Sequence, residues 1–148
     1  MKLYIDGDAF PNKLKSIIFK AILRHNLETY VVSNKEITIG DCEHIHYIVV
    51  EQGADEADNQ IVEMVNAGDL VITADIPLAD RVIKKEAYAI DQRGTQFDDD
   101  NIKQYLAMRN LMQDIRDNDG MTKGPKAFSK TDARDFANQL NKLLVKLT

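Results

Sequence analysis

The feature that most constrains this chain is the order of its apolar segments. Short apolar runs alternate with stripes of helical period over roughly the first ninety residues. A run of three to five apolar residues between polar turns has the length of a strand buried on both faces, whereas apolar residues at i, i+3, i+4 mark one face of a helix. Leu3-Tyr4-Ile5 reads as the first strand. Leu14, Ile17, Ile18, Ala21 and Ile22 form a helical stripe, with Pro11 near its start, where a missing N–H is harmless, and His25 near its end. Thr29 to Val32 and His46 to Val50 are the second and third strands. Ala57, Ile61, Met64 and Val65 mark a helix that Gly68 is expected to close, and Leu70 to Thr73 is the fourth strand. Leu78, Ala79, Val82 and Ile83 make the next helix, with Pro77 in its first turn, and Ala87 to Ile90 is the fifth strand.

Beyond Gly94 the pattern is helical only. One helix is expected from about Asp100 to Arg116, with Ile102, Leu106, Met108 and Leu111 as its apolar residues, and the segment Asn118 to Pro125 breaks it. Ser129-Lys130-Thr131-Asp132 resembles a capping box opening a last helix that carries Phe136, Leu140, Leu143, Leu144 and Leu147. Strands alternating with helices imply the α/β class: a mostly parallel five-stranded sheet with helices on both faces and two C-terminal helices over about 98–148. With 148 residues the chain fits one domain. The single cysteine, Cys42, and the absence of a long apolar run point to a cytoplasmic protein with no membrane span.

The acids fall where such a fold binds ligands. In an open parallel sheet that place is the crevice beyond the carboxyl ends of the strands, where strand order reverses. With the order 3-2-1-4-5, strands one and four are neighbours at that crevice. Asp6 and Asp8 follow strand one, and Asp75 follows strand four. Asp55 and Asp58 open the helix after strand three, on one face at i,i+3 spacing. Carboxylates crowded in one cleft repel each other unless a cation compensates, and oxygen-only donors select a hard ion such as Mg²⁺ or Mn²⁺. One or two such ions can hold a phosphodiester for hydrolysis. A plainer explanation stands beside this one. Asp is a favoured helix N-cap, and Asp8, Asp55 and Asp75 each stand where a cap would. Capping leaves Asp6 beside Asp8, and Asp58 beside Asp55, without a purpose.

The segments IDGDAFP, VVEQGADEADNQIV, GDLVITADIPLADRVI, RGTQF with DNI, LAMRN, and KGPKAFS with TDARDFANQL resemble the YaiI/YqxD family of bacterial proteins in order along the chain. The family commonly reads D-A-D-A-C-P at its start; here Gly7 and Phe10 stand in that segment, so it carries no cysteine. The resemblance implies a fold similar to PIN-like nucleases, in which acids at strand ends bind Mg²⁺ or Mn²⁺ and cut RNA or DNA. Carried over by position, it points to Asp6 and Asp8, to Asp55 and Asp58, and to Asp75 as metal-binding and catalytic residues.

Other residues are candidates for holding substrate. Asn34, at the end of strand two, is a ligand or a turn residue. Thr73 ends strand four, where it either orients a water or serves strand propensity alone. Arg93 and Arg109 grip phosphate or pair with nearby acids. Lys123 and Lys126, with Lys130 and Arg134, surround the GP segment. His44 and His46 have a metal-binding spacing but no evident third ligand. The net charge of −5 speaks against nucleic acid until it is divided: residues 121–148 hold six Lys or Arg and two Asp, leaving the excess of acid in the first 120. Three functions therefore compete. The first is a Mg²⁺- or Mn²⁺-dependent nuclease acting on RNA. The second is a phosphatase of the haloacid-dehalogenase type using Asp6-Gly7-Asp8 with Asp75 and Asp80. The third is a PIN-like domain that binds RNA or protein without chemistry.

Overall fold

The computed structural model describes residues 1–8, 10–53, 55–119 and 127–148. Its strands are β1 (Lys2–Asp6), β2 (Glu28–Ser33), β3 (Ile45–Val49), β4 (Leu70–Ile72), β5 (Tyr88–Ile90) and β6 (Gln96–Phe97). Its helices are α1 (Asn12–His25), α2 (Glu56–Met64), α3 (Ile76–Lys84), α4 (Ile102–Asp119) and α5 (Lys130–Leu147). The sheet order is β3-β2-β1-β4-β5-β6. The first five strands are parallel and stand in the expected order. The expected count of five is corrected to six, because β6 adds an antiparallel edge through the pairs Ala89↔Phe97 and Ile90↔Gln96. Two residues with one buried apolar side chain carry no alternation for a sequence reading to detect.

Both faces of the sheet are covered, and the central strands divide their side chains between them. Leu3, Ile5, Leu70 and Ile72 pack on one face against Leu14, Ile18 and Ile22 of α1 and Phe136, Leu140 and Leu144 of α5. Tyr4 and Val71 point to the other face, against Ile61 of α2, Leu78, Ala79 and Val82 of α3, and Ile102 of α4. This period-two division is why the strands read as unbroken apolar runs. Ser129 and Asp132 form the expected capping box at the start of α5.

Two local expectations are corrected. Helix α2 ends at Met64, with Val65 already extended, so Gly68 (φ +86) belongs to the turn into β4 and does not close the helix. On α4, Ile102 is buried, whereas Met108 and Leu111 are more than half exposed. The helix bears a second apolar stripe that starts at Tyr105, packed edge-on against Phe97 of β6, and runs out to the exposed Met108 and Leu111. The break expected over Asn118 to Pro125 is corrected at its start, because α4 runs on through Asp119; the segment 120–126, with Lys123 and Lys126, lies outside the described residues.

The β5–β6 hairpin is fastened to α5. Asp91 Oδ1 accepts from the amides of Arg93 and Thr95, both at 2.8 Å. Gly94 (φ +95) lies so close to the backbone of α5 that a Cβ there would sit 2.8 Å from the Asp135 carbonyl oxygen. Gly68 has a similar φ and nothing within 4 Å of such a Cβ. Gly68→Ala is therefore expected to cost only the left-handed backbone penalty, about 1 kcal/mol. Gly94→Ala should cost about 1–3 kcal/mol more through overpacking against α5. Urea unfolding of the two variants checks the difference.

Candidate functional site

The parallel pairing of β1 with β4 aligns Ile5 with Ile72 and so brings the residues after both strands to one place. There Asp6, Asp8, Asp55, Asp58 and Asp75, with Ala74 and Gln92, line a cleft of ≈ 480 Å³. All five expected acids are thus brought together at the carboxyl edge of the sheet. Gln92 is an addition that the sequence reading missed. It follows β5, the strand beside β4, so the carboxyl-end rule reaches it, although a neutral amide carries no charge signal.

The acids are held very differently. Asp6 is the last residue of β1 and is 7% exposed. Its Oδ2 accepts from Thr73 Oγ1 at 2.8 Å and its Oδ1 from the Asp8 amide at 3.3 Å. Thr73 is fully buried, and its Oγ1 also accepts from the Asp75 amide at 3.0 Å. One hydroxyl therefore ties the end of β1 to the start of α3, a positioning role for Thr73 that strand propensity concealed. Asp8 Oδ1 accepts from the Asn34 amide at 3.0 Å, so the end of β2 is fixed to the same point. Asn34 thus acts through its backbone, while its side-chain Oδ1 is buried without a hydrogen-bond partner.

Capping explains one acid of the three proposed for it. Asp75 is the N-cap of α3, accepting from the Leu78 amide at 3.0 Å. Pro11, not Asp8, occupies the N-cap position of α1. Asp55 occupies that position in α2 with φ +67, yet its side chain accepts no capping hydrogen bond. Asp80 makes an i,i+4 ion pair with Lys84 at 2.8 Å and does not line the cleft.

Crowding shifts the proton equilibria. Burial pushes the Asp6 carboxyl up to about 6, opposed by the hydrogen bonds from Thr73 and the Asp8 amide and assisted by the charges of Asp8 and Asp75. Burial also pushes Asp58 up, to about 7, together with the charges of Asp75 and Asp6, a hydrogen bond with Asp75, and the charge of Asp55. Asp58 therefore holds its proton at pH values where an ordinary aspartate is ionised, and that proton supplies its hydrogen bond to Asp75. The donor chemistry, hard carboxylate oxygens with excess negative charge, fits a divalent cation. As the side chains stand, no three His, Cys, Asp or Glu among the described residues are disposed as a metal cage. The Asp58–Asp75 hydrogen bond closes two of the donors on each other.

The basic candidates lie elsewhere. Arg93 is ion-paired with Asp132 in the capping box of α5 and stacks on Phe128 at 5.7 Å. Of the two readings of Arg93, the structure shows it paired with a nearby acid, and its guanidinium fastens the hairpin that carries Gln92 to α5. Arg109 is exposed on α4, and Lys123 and Lys126 lie outside the described residues. His44 and His46 flank Glu28 at the opposite, amino edge of the sheet, with His44 Nδ1 3.5 Å from Glu28 Oε2.

An open, mostly parallel α/β sheet with an acidic cleft beyond the ends of its central strands is the architecture in which ligands generally bind at the switch point. Within that class the chain belongs to the YaiI/YqxD family. The family model described as "Uncharacterized BCR, YaiI/YqxD family" matches residues 4–146. The "UPF0178 protein" of Sulfurimonas denitrificans is 67% identical over 146 residues, covering 99% of this chain and 97% of the relative. The "UPF0178 protein" of a Sulfurovum species is 60% identical, covering 99% of each. That of a Nitratiruptor species is 54% identical, covering 99% and 97%. No solved structure matches the chain. Among the described residues no helix is long and apolar enough to cross a membrane.

Two outcomes test this geometry. Asp58 holds its proton more tightly in the folded chain than in the unfolded one, so the stability it contributes is present in acid and is lost as pH rises from about 4 through about 7. Asp58→Asn should therefore melt a few degrees above the wild type at pH 8 in a chelating buffer, and level with it at pH 4. Thr73→Val should lose about 1–3 kcal/mol by removing a buried hydrogen bond to a carboxylate, and Thr73→Ser should recover most of it in urea unfolding.

Proposed function

We propose that the cleft binds one or two divalent cations, Mg²⁺ or Mn²⁺, and that the protein is a PIN-like nuclease hydrolysing phosphodiester bonds, with RNA as the substrate. The observation that carries this reading is the convergence of five aspartates, of which capping accounts for one. Surplus carboxylates raise the pKa values of their neighbours and destabilise the fold at neutral pH, a cost that a ligand-binding role accounts for.

Asp8, Asp75 and either Asp55 or Asp58 would hold the ion, with Asp6 as a further ligand or a support. A bound divalent ion supplies Lewis-acid polarisation of the phosphoryl group and offsets the charge that water attack builds there. One carboxylate oxygen of Asp8 and one of Asp75 are oriented by the Asn34 and Leu78 amides, and the other oxygen of each accepts from no backbone amide among the described residues. Asp58 is the residue best placed to take or give a proton near pH 7. Thr73 sets the spacing between Asp6 and Asp75, and Gln92 offers a neutral donor at the wall of the cleft. The phosphatase reading needs a later acidic pair, and Asp80 is spent on Lys84 outside the cleft. The non-catalytic reading leaves the uncapped acids without a purpose.

Mn²⁺ should raise the melting temperature of the wild type and not that of Asp8→Asn. Labelled RNA should be cut in the presence of Mn²⁺, and cutting should fall at least about a hundredfold in Asp75→Asn, which preserves the helix cap because Asn caps as well as Asp. A thermal shift equal in wild type and variant, or cleavage that survives chelation, would overturn the reading. Hydrolysis of a small phosphate monoester dependent on Asp6 would favour the phosphatase.

A further inference from the structure

Successive residues at the end of a strand point to opposite sides, and the segment Asp6-Gly7-Asp8 uses this at the mouth of the sheet. Asp6 and Asp8 line the acidic cleft, whereas Gly7 lines a second hollow of ≈ 370 Å³, a size within the range of small-ligand pockets. Consecutive Cα atoms are about 3.8 Å apart, so the two hollows meet along a single residue. Gly7 is fixed there by its amide bond to the Val32 carbonyl at 2.8 Å. A Cβ at Gly7 would lie 2.8 Å from Ser33 Cβ and 3.3 Å from the Ile37 side chain, so only glycine leaves this wall undisturbed.

The chemistry of the second hollow is opposite to that of the first. Phe10, Lys15 and Lys35 line it, with Glu36 and Thr38 also on its wall. Lys15 is half-buried on α1, and neither lysine has an ion-pair partner among the described residues. The backbone of Lys35 is tied to the end of β2 by a hydrogen bond from Ser33 Oγ to its carbonyl. Two ammonium groups against the single carboxylate of Glu36 give the hollow a net positive charge, which favours an anion seated between Lys15 and Lys35. Phe10 is half-buried, packing against the core on α1 and lining the hollow as well.

We propose that this hollow seats the nucleotide next to the bond held in the acidic cleft, with the phosphate on Lys15 and Lys35 and the base on the ring of Phe10. The proposal rests on the nuclease reading above and narrows it to single-stranded nucleic acid. A base reaches an aromatic ring beside its own phosphate only when it is out of a duplex stack. A strand threaded this way passes from a cationic to an anionic hollow over Gly7.

The test is binding of a short labelled single-stranded RNA to the full chain carrying Asp75→Asn, with Mg²⁺ present, followed by fluorescence anisotropy across a salt series. Lys15→Ala and Lys35→Ala are each expected to weaken binding and to flatten the slope of log K against log salt by about 0.7. Phe10→Leu should weaken it about five- to hundredfold and leave the slope unchanged. A blunt duplex of the same sequence should bind more weakly than the single strand. Unchanged binding in the three variants, equal binding of the duplex, or no binding by the parent would overturn the proposal. Lys35 is exposed, so its variant is informative even where Phe10→Leu perturbs packing. Expected binding without Mn²⁺-dependent cutting by the wild type would sustain the hollow and remove the hydrolytic reading. Cutting whose KM is indifferent to Lys15 and Lys35 would do the reverse.

Discussion

Strand β1 pairs in parallel with β2 on one side and with β4 on the other, and the meeting of Asp6, Asp8 and Asp75 follows from that double pairing. Crossover helices leave the sheet in opposite senses on either side of β1, so a crevice opens above its carboxyl end. The segment after β1 and the segment after β4 have nowhere else to go. Thr73 then converts proximity into fixed geometry, because its buried hydroxyl joins the Asp6 carboxylate to the Asp75 amide.

This arrangement sets stability against charge. Asp6 and Asp58 are both driven toward their protonated forms by burial and by their neighbours. A chain selected for stability alone would place apolar or amide side chains at these positions. The two cores on either face of the sheet, built from aliphatic and a few aromatic residues, carry no such conflict.

The sequence reads well where burial imposes a period and poorly where it does not. Strands β1 to β5 are legible because both sheet faces are covered, which forces apolar runs such as Leu70-Val71-Ile72. The edge strand β6 satisfies its pairing mainly through backbone and leaves no such trace. Helix α4 is misread because it bears two apolar stripes, and spacing alone does not tell which of Leu106 and Met108 meets the sheet. The five aspartates are legible because strand ends can be counted. Gln92 and Thr73 are not, since one is neutral and the other resembles any β-branched strand residue. The two alternatives for Arg93, phosphate grip or acid pairing, do not separate in the sequence, because its partner Asp132 lies 39 positions further along the chain.

Asp55 differs from its companions in a way that bears on how the cleft accommodates a guest. Asp6, Asp8 and Asp75 are braced by hydrogen bonds to the ends of buried strands or to a helix, so they form a jaw that cannot spread to ease its own repulsion. Asp55 sits exposed on a left-handed residue at the mouth of α2, with no capping bond to hold its carboxylate. For the cation binding proposed above, Asp55 is the one carboxylate among these four whose position no strand-end or capping bond among the described residues prescribes.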